Sequence, residues 1–362
     1  MTKLLIVGRT RYRLPLEPSL ARKFDALRGA VELRVLASAP AGAPVGDDTF
    51  TLVPPFSPRA LDGLAFQLAL PWRVARELRD FEPDAILTQS PHEAASCMLG
   101  RRLAGSRARV VVELHGDWRT ATRLYGSSAR RVLGPLVDRL GTAALRRADA
   151  VRTVSAYTTG LAREIGVEPA ATFPAYMDLE PFLGERKPLP ERPSVLFVGV
   201  LERYKNVDGL AEAWRAVAAR VPGAQLRIVG DGSLRGVVES LGVRWDRRLA
   251  PAEVAAALDE ATVLVLPSRS EGMGRVLVEA FCRGRGVVAS RVGGIRDLVA
   301  DGESGLLVEP GSTRALADAL VRVLTDPGLA ARLGEGAAAA AGAWLQTPEE
   351  YAERIRALVE AA

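Results

Sequence analysis

Two glutamates, Glu271 and Glu279, stand eight residues apart in LVLPSRSEGMGRVLVEAFCRG, residues 264–284. The apolar start of the segment predicts a buried strand, and the later pattern predicts a helix that begins near Gly274. Glycines at 272 and 274 let a ligand approach the backbone, and the first amides of a helix, which lack internal partners, suit a diphosphate. The segment therefore offers carboxylates to the hydroxyls of a sugar and of a ribose, with amides for phosphate between them.

Two glutamates around a helix start also occur for structural reasons alone. Glu271 can act as a partner of the helix dipole, and Glu279 can be a surface residue. However, Glu279 lies between Val278 and Ala280 in an otherwise apolar stretch, so a solvated helix face explains it poorly. The pattern favours a binding role for both carboxylates.

A lysine follows another strand-like run, FVGVLERYKN, residues 197–206. Lys205 is one of only four lysines in a chain whose positive charge comes mainly from arginine. We expect Lys205 to open the next helix at the ligand-binding edge of a sheet, where its ammonium can neutralise charge on a leaving diphosphate. A helix-start lysine that faces water is the alternative, and the glutamate pair favours the phosphate role.

Short apolar runs alternate with amphipathic stretches along the chain, which predicts βαβ units around parallel sheets. We therefore expect an α/β protein with two doubly wound, Rossmann-like domains that face each other across a cleft, with ligands beyond the carboxyl ends of the strands. The predicted strands are 3–8, 31–37, 84–90, 109–116, 149–155, 194–201, 224–230, 261–268, 286–290 and 304–310.

Proline and charge are dense between the two series of strands, which is typical of a linker. We predict an N-terminal domain over 1–178, a linker over 179–193 and a C-terminal domain over 194–342. Residues 343–362 are predicted to form a helix that packs back toward the N-terminal domain. Thr347 should cap this helix, with Pro348 in its first position.

The bulk composition fits a protein of two domains in a reducing compartment. A chain of 362 residues is too long for one ordinary core. Cys97 and Cys282 are too few and too distant to build a disulfide framework or a metal site, and they are expected to be buried. We see neither a signal peptide at the N-terminus nor an apolar run near the roughly 20 residues that span a bilayer, so we expect a cytoplasmic protein.

The net charge of +5 is concentrated in residues 101–152, which hold twelve arginines and four acidic residues. Such a patch can meet the anionic headgroups of a membrane, a phosphorylated acceptor or nucleic acid. Nucleic acid is the weakest option, because the segment has few aromatic residues for stacking and no recognisable reader motif. Ordinary solvated helices in an arginine-rich protein explain the patch equally well.

Together these motifs resemble the retaining, metal-independent nucleotide-sugar glycosyltransferases of family 4, which have the two-domain GT-B fold. FVGVLERYKNVDGLAEAW (197–214) is similar to the Gly-Arg-Leu-x-x-x-Lys segment of the family, and IVGDGSL (228–234) to its Gly-Asp-Gly loop. EGMGRVLVEA (271–280) resembles its Glu-x7-Glu signature, and VGGIRDLVADGESGLLVEPG (292–311) the glycine-rich stretch that follows. In the first domain, VELHGDW (112–118) resembles the His-Gly element of the family.

The resemblance implies specific roles. Glu271 would contact the hydroxyls of the donor sugar, Glu279 the ribose and Lys205 the diphosphate, while His115 would touch the sugar near the reacting carbon. His115, Lys205 and Glu271 are thus the implied catalytic residues; from its strand-end position alone, His115 suits a cleft or a core equally, and His92 is not expected to be catalytic. Further donor contacts are implied for Gly199, Gly230, Arg247, Arg248, Leu249, Gly272, Met273, Gly274, Arg275 and Val276.

The sequence departs from the family at two places. Val200 stands where the family usually has an arginine, and either Arg203 or Arg275 is a candidate replacement; Arg275 can instead pair with Glu279, four residues on. The first-domain loop GRTRYRLPL (8–16) has arginines in place of glycines. Candidate contacts with phosphate or acceptor are Arg9, Arg11, Arg13, Arg203 and Asp117, and solvent exposure is an equal alternative for the three loop arginines.

The expected function is transfer of a hexosyl group, with anomeric retention, from a nucleoside diphosphate sugar to an acceptor hydroxyl of a glycan, a lipid-linked molecule or a small molecule. No metal or other cofactor is expected, and neither is nucleic acid. Contact with the inner face of an anionic membrane through residues 101–152 is a further expectation. A catalytically impaired nucleotide-sugar-binding protein, motivated by Val200, and a nucleotide-sugar epimerase or hydrolase are the alternatives.

Overall fold

A computed structural model describes residues 1–58, 61–119 and 128–362, and for residues 128–133 it describes the backbone only. Its contacts divide the chain into two compact units. Unit 1 comprises Met1–Tyr176 and Gln346–Ala362, and unit 2 comprises Met177–Leu345. No helix among the described residues is both long and apolar enough to cross a membrane.

Unit 1 is built on a seven-stranded sheet in which every paired strand is parallel to its neighbour, in the order β3-β2-β1-β4-β5-β6-β7. The strands are β1 Lys3–Arg11, β2 Glu32–Ser38, β3 Phe50–Val53, β4 Ala85–Thr88, β5 Arg109–Leu114, β6 Ala150–Thr153 and β7 Ala171–Thr172. The helices are α1 Pro18–Ala30, α2 Asp62–Phe81, α3 Pro91–Ala104, α4 Ser128–Arg147, α5 Ala156–Glu164 and, from the end of the chain, α13 Pro348–Ala361.

Both faces of this sheet are buried, which explains why its strands read as continuous apolar runs. Along β1, Leu4 and Ile6 enter one core, which α1 and α13 complete. The alternate residues Leu5 and Val7 enter the opposite core, which α2, α3, α4 and α5 cover. Cys97 of α3 is a free, buried thiol, as expected.

Unit 2 contains a six-stranded parallel sheet in the order β10-β9-β8-β11-β12-β13. The strands are β8 Ser194–Val198, β9 Gln225–Val229, β10 Arg244–Asp246, β11 Val263–Leu266, β12 Val287–Ser290 and β13 Gly305–Val308. The helices are α6 Val207–Arg220, α7 Arg235–Glu239, α8 Pro251–Asp259, α9 Arg275–Cys282, α10 Ile295–Leu298, α11 Thr313–Thr325 and α12 Pro327–Ala341.

The second sheet is also covered on both faces. Val195 and Phe197 of β8 pack with α6 and α11, and the intervening Leu196 packs with α8 and α9. The predicted α/β class with two doubly wound, Rossmann-like sheets is therefore confirmed. All ten predicted strands are present, and the three strands that the sequence did not predict, β3, β7 and β10, each lie at the edge of a sheet.

The segment predicted as a linker contributes to the core of unit 2. Leu179 and Phe182 are buried against α8 and α9. Arg285, which is almost fully buried, donates hydrogen bonds to the carbonyls of Lys187 (2.9 Å) and Pro188 (3.0 Å). These contacts fix the course of the segment into β8.

The last helix, α13, starts where its capping residues predict. The Thr347 hydroxyl accepts from the amide of Glu350 at 3.1 Å, and the Glu350 carboxylate accepts from the amide of Thr347 at 2.9 Å. Pro348 takes the first helical position, as expected.

Candidate active site

The loop between β11 and α9 has the geometry predicted for it. Gly274 precedes the helix with φ +79°, a left-handed conformation that favours glycine. The helix then begins at Arg275, which confirms the predicted start. Within the described residues, the amides of Met273, Arg275 and Val276 find no hydrogen-bond acceptor, as expected at a helix N-terminus.

Lys205 and Glu271 meet at this loop. The Lys205 Nζ lies 2.5 Å from Glu271 Oε2, although the two residues are 66 positions apart in the chain. Both side chains are largely buried, with 12% and 15% of their surfaces exposed. Ser268 also donates a hydrogen bond to Glu271 Oε2, at 3.3 Å. A cation, a carboxylate and helix-start amides are thus held at one end of the unit 2 sheet.

Lys205 does not open α6, contrary to the expectation from the sequence. It is the last residue of a 3₁₀ turn, Arg203–Lys205, and the helix begins only at Val207. Asn206 between them is buried and has φ +56°, the left-handed conformation that interrupts the two helical segments. Because Lys205 lies in this turn and not in α6, its side chain reaches Glu271.

Arg269, which is not among the predicted site residues, holds this turn. Its amide donates to the Tyr204 carbonyl at 2.6 Å. Its guanidinium donates two hydrogen bonds to Asn206 Oδ1, at 2.9 and 2.8 Å, and one to Asp208 Oδ2 at 3.1 Å. Arg269 therefore joins the loop that carries Glu271 to the turn that carries Lys205.

Glu279 lies on α9 with its carboxyl group largely shielded from water. Burial raises the pKa of Glu279, and the charge of Arg275 acts in the opposite direction. Arg275 is exposed, and it makes no ion pair with Glu279 within 4 Å. The predicted Arg275–Glu279 pairing is thus an electrostatic influence without contact.

The loops that follow β8, β9 and β10 contain the other predicted donor-binding residues of unit 2. Gly199 donates its amide to the Val229 carbonyl at 2.9 Å, and Trp245 donates its indole N–H to the Gly230 carbonyl at 2.8 Å. Arg247 stacks over the Trp245 ring, 5.3 Å from its centre.

The remaining residues near these loops differ in exposure. Arg248 is exposed, whereas Leu249 packs against the core. Val200 and Arg203 are both exposed.

His115 in unit 1 follows β5 and is half-exposed. Its Nε2 lies 3.5 Å from Glu113 Oε2. Glu113 is buried, yet the charge of the fully buried Arg152, with a hydrogen bond from His115, overcomes that burial and holds the pKa of Glu113 at about 2. The carboxylate therefore keeps its charge beside His115.

Arg9 and Arg11, predicted to lie in a loop, are part of strand β1, which extends to Arg11, and both have a partner inside unit 1. Arg9 and Arg11 lie 3.1 and 3.3 Å from Asp62 Oδ2. A hydrogen bond from the Phe56 amide, together with these arginines, lowers the pKa of Asp62. Arg13 is exposed.

Two other candidates in unit 1 have mainly local contacts. Asp117 accepts hydrogen bonds from the amide and the Nε of Arg119, at 3.0 and 2.9 Å. His92 lies at the start of α3, where burial lowers its pKa. The described residues contain no group of three or more His, Cys, Asp or Glu side chains that could hold a metal ion.

Two protein-family models match the chain in succession. Residues 18–174 match the glycosyl transferase 4-like domain, and residues 192–326 match the glycosyl transferases group 1. Among curated proteins, alpha-D-kanosaminyltransferase of Streptomyces kanamyceticus is 36% identical over 164 residues, which cover 43% of this chain and 42% of that protein. The GDP-mannose-dependent alpha-(1-6)-phosphatidylinositol monomannoside mannosyltransferase of Mycolicibacterium smegmatis is 32% identical over 259 residues, or 64% and 65% of the two chains. Both alignments span less than two thirds of the relative's length.

Solved structures match over almost the whole chain. Sucrose-phosphate synthase of Thermosynechococcus elongatus superposes with a TM-score of 0.77 at 21% identity and 100% coverage of both chains. HepE of Anabaena, crystallised with UDP-glucose, superposes with a TM-score of 0.71 at 18% identity and covers 99% of this chain and 100% of its own. At these identities the likeness establishes the fold.

Proposed function

From its membership of the group 1, family 4-like glycosyltransferases with the GT-B fold, we propose that the chain is a hexosyltransferase. It transfers a hexosyl group from a nucleoside diphosphate sugar to an acceptor hydroxyl, with retention at the anomeric carbon. The observation that carries the proposal is the Lys205–Glu271 contact of 2.5 Å beside the free amides of α9. This arrangement provides a cation and N–H donors for a diphosphate, and a carboxylate for sugar hydroxyls.

The geometry suggests how the donor is held. The diphosphate takes the place of Glu271 as the partner of the Lys205 ammonium, and Glu271 then accepts hydrogen bonds from the donor sugar. Glu279 accepts from the ribose hydroxyls, while the amides of Met273 and Val276 donate to phosphate oxygens. The crystallised complex of HepE with UDP-glucose and the GDP-mannose dependence of the mycobacterial relative support a nucleoside diphosphate sugar as donor.

In the proposed reaction, the bond between the anomeric carbon and the diphosphate oxygen breaks while the acceptor oxygen bonds to that carbon on the same face. The acceptor proton passes to a phosphate oxygen of the leaving nucleoside diphosphate. Lys205 and the α9 amides stabilise the negative charge that develops on this leaving group, the part that a divalent cation plays in metal-dependent transferases. The role that the resemblance implies for His115 stays a prediction, which His115→Ala tests through turnover.

The acceptor is a glycan, a lipid-linked molecule or a small molecule. The two curated relatives act in different settings, one as a kanosaminyltransferase and one on a phosphatidylinositol monomannoside. Assembly of an envelope glycolipid or glycan and modification of a small molecule are both consistent with the proposal, and so is a cytoplasmic site of action.

Release of nucleotide from UDP-, GDP- and dTDP-sugars, measured with and without candidate acceptors, tests the function. Release that depends on acceptor supports the transferase, and sugar conversion without acceptor would support an epimerase or hydrolase. Binding without turnover would support an impaired binding protein, the alternative that the exposed Val200 motivates.

Two substitutions separate the roles of the charged residues. Lys205→Ala should lower kcat by about 10²–10³-fold, because the leaving diphosphate loses its cation. Glu279→Ala should mainly raise the donor KM, by about tenfold, because it removes ribose hydrogen bonds. Lys187→Ala, which removes an exposed lysine of the same unit, is the control, and wild-type kcat in the Lys205 variant would exclude Lys205 from the mechanism.

A further inference from the structure

The outer side of helix α2 carries a stripe of exposed, large apolar side chains. Leu61, Leu64, Leu68 and Trp72 recur every three or four residues and therefore lie on one side of the helix. Between 48% and 66% of the surface of each is exposed, with Trp72 the most exposed of them. The opposite side of α2 packs into the core of unit 1 through residues such as Phe66 and Leu70. The exposed stripe is therefore a second apolar side of the same helix, and it is not needed to form the core.

The stripe continues onto α3, where Leu99 and Leu103 are exposed. The two helices pack closely, since a Cβ on Gly100 would lie 2.7 Å from the carbonyl oxygen of Pro71. Arg79 near the end of α2 also donates a hydrogen bond to the Leu103 carbonyl, at 2.8 Å. The exposed leucines of α3 therefore lie beside the α2 stripe.

Helix α4 extends the same layer. Its Ala144 and Leu145 enter the core that α2 and α3 cover, while Leu136 and Leu140, one turn apart, are exposed. Of the fourteen exposed large hydrophobic residues in the described part of the chain, seven thus lie on three neighbouring helices, and an eighth, Leu61, immediately precedes α2. We call them the apolar helical face: Leu61, Leu64, Leu68, Trp72, Leu99, Leu103, Leu136 and Leu140.

The helices that carry the apolar helical face also carry exposed arginines. Arg102 of α3 and Arg139 and Arg147 of α4 are exposed. Across the described residues, none of these three arginines has an ion-pair partner within 4 Å. All three arginines belong to the arginine-rich segment 101–152. Another arginine of that segment, Arg123, lies outside the described residues.

The acidic residues of the same helices do not cancel this charge. Asp80 of α2 is exposed but pairs with Arg76 one turn before it, at 3.5 Å, so that pair adds no net charge. Glu77 is buried beside Arg34, at 3.2 Å, and Glu93 and Asp138 are buried as well. Asp62 pairs with Arg9 and Arg11, which lie at the end of β1. The solvent-facing charge of the face is therefore mainly positive.

We propose that the apolar helical face docks on the surface of a bilayer that contains anionic lipids. Exposed apolar side chains that are clustered, and not scattered singly, mark interaction sites. Leucines and a tryptophan suit the boundary between headgroups and acyl chains, and unpaired arginines suit lipid phosphates. A second copy of the chain fits less well, because a symmetric contact through this face brings like charges together.

Co-sedimentation with vesicles tests the proposal without reference to glycosyl transfer. The full chain should bind vesicles of phosphatidylcholine with about 30% phosphatidylglycerol, and should bind pure phosphatidylcholine at least about tenfold more weakly. Binding to the anionic vesicles should fall as salt is added. Equal binding to both vesicle types, or no binding to either, would overturn the proposal.

Two double variants examine the two components of the face. L68Q/W72Q removes apolar contacts, and R139Q/R147Q removes charge; each should weaken binding by about tenfold or more. The matched controls are L183Q and R215Q, exposed residues of unit 2 that should bind like the wild type. Circular dichroism should show all variants folded, because none of these side chains is buried.

Fluorescence gives a second, independent measurement. The emission of the wild type should shift to the blue on binding, and W72F should bind while losing most of that shift. An unchanged shift in W72F, or wild-type binding by L68Q/W72Q, would overturn the proposal. A third outcome would also overturn the proposal: the wild type fails to bind vesicles and forms a dimer in light scattering, and L68Q/W72Q abolishes that dimer. The apolar helical face would then join two copies of the chain.

Discussion

Glu279 combines a shielded position with a proposed ribose-binding role that requires its charge. Burial raises its pKa, so its carboxylate takes up a proton at a higher pH than an exposed glutamate does. Only the ionised carboxylate accepts hydrogen bonds from both ribose hydroxyls. Donor affinity should therefore fall as the pH is lowered toward this raised pKa.

The measurement is the Kd of an intact nucleotide sugar between about pH 8 and about pH 5. The diphosphate of a nucleotide sugar is esterified at both ends and does not titrate in this range, so the ligand keeps a constant charge. The wild type should lose affinity toward the acidic end, and Glu279→Gln should bind more weakly but with little change over the range. An equal pH dependence in the variant would assign the effect to another group.

Glu93 of α3 makes the stability of unit 1 depend on pH. Burial raises its pKa to about 7 from an ordinary 4.5, against the opposing effects of its own amide, the Arg9 charge and a hydrogen bond from Gln67. Because the folded-state pKa is the higher one, its contribution to stability is full below the ordinary pKa and is lost as the pH rises through about 7. The loss at alkaline pH amounts to about 3 kcal/mol.

Glu93→Gln removes this titration while keeping an oxygen for Gln67. Urea unfolding should therefore show the variant more stable than the wild type at about pH 8, by up to about 3 kcal/mol, with a much smaller difference at about pH 5. Glu239→Gln, at an exposed position in unit 2, is the control. A stability difference that does not change with pH would contradict the prediction.

Residue types and spacing were enough to single out Glu271, Glu279 and Lys205 as candidates, because a helix start after a buried strand has a recognisable local pattern. Arg269 was not found in this way. Its effect depends on a side chain that reaches Asn206, 63 residues away, and no local pattern encodes such a contact. Ser268, which donates to Glu271, was missed for the same reason.

At the scale of elements, the turn that carries Lys205 depends on the loop after β11. Arg269→Lys cannot reproduce the fork that holds Asn206 and Asp208, so Lys205 should lose its fixed aim. We expect kcat to fall by about tenfold with little change in the donor KM. This split distinguishes a positioning residue from one that binds the donor.

Asn206→Gly provides the complementary test, since glycine keeps the left-handed backbone but removes the acceptor. It should lower kcat to a similar extent, and combination with Arg269→Lys should add little, because both substitutions break one contact. Arg296→Lys, exposed on α10, is the control. Additive losses in the double variant would show that the two residues act separately.

The central strands of both sheets were predictable because they are buried on both faces and read as continuous apolar runs. The edge strands β7 and β10 have two and three residues, too few for a pattern to form, and the four-residue β3 is interrupted by the polar, exposed Thr51. The edge strand β13 was predicted because its run GLLV is apolar throughout. Pairing to a neighbouring strand, which sequence alone does not reveal, defines the short edges.

At the scale of the whole molecule, the first and the last segments of the chain belong to the same unit, unit 1. Helix α13 packs Tyr351, Ile355 and Val359 into the same core as Phe24 of α1. Phe173, near the end of the first segment of unit 1, contacts Tyr351 ring to ring with 6.2 Å between centroids. The last residues of the chain thus complete a core that the first residues begin.

Ile355→Ala should therefore destabilise unit 1 selectively. Ile355 is fully buried, and its truncation should cost about 2–5 kcal/mol. Hydrogen exchange should speed up in β1, β2 and β4, while amides of β8 and β11 keep their protection. Leu320→Ala, which opens an equally buried site in α11, should give the reverse pattern. Equal loss of protection in both sheets after Ile355→Ala would mean that the two units unfold as one, and that α13 stabilises the molecule as a whole.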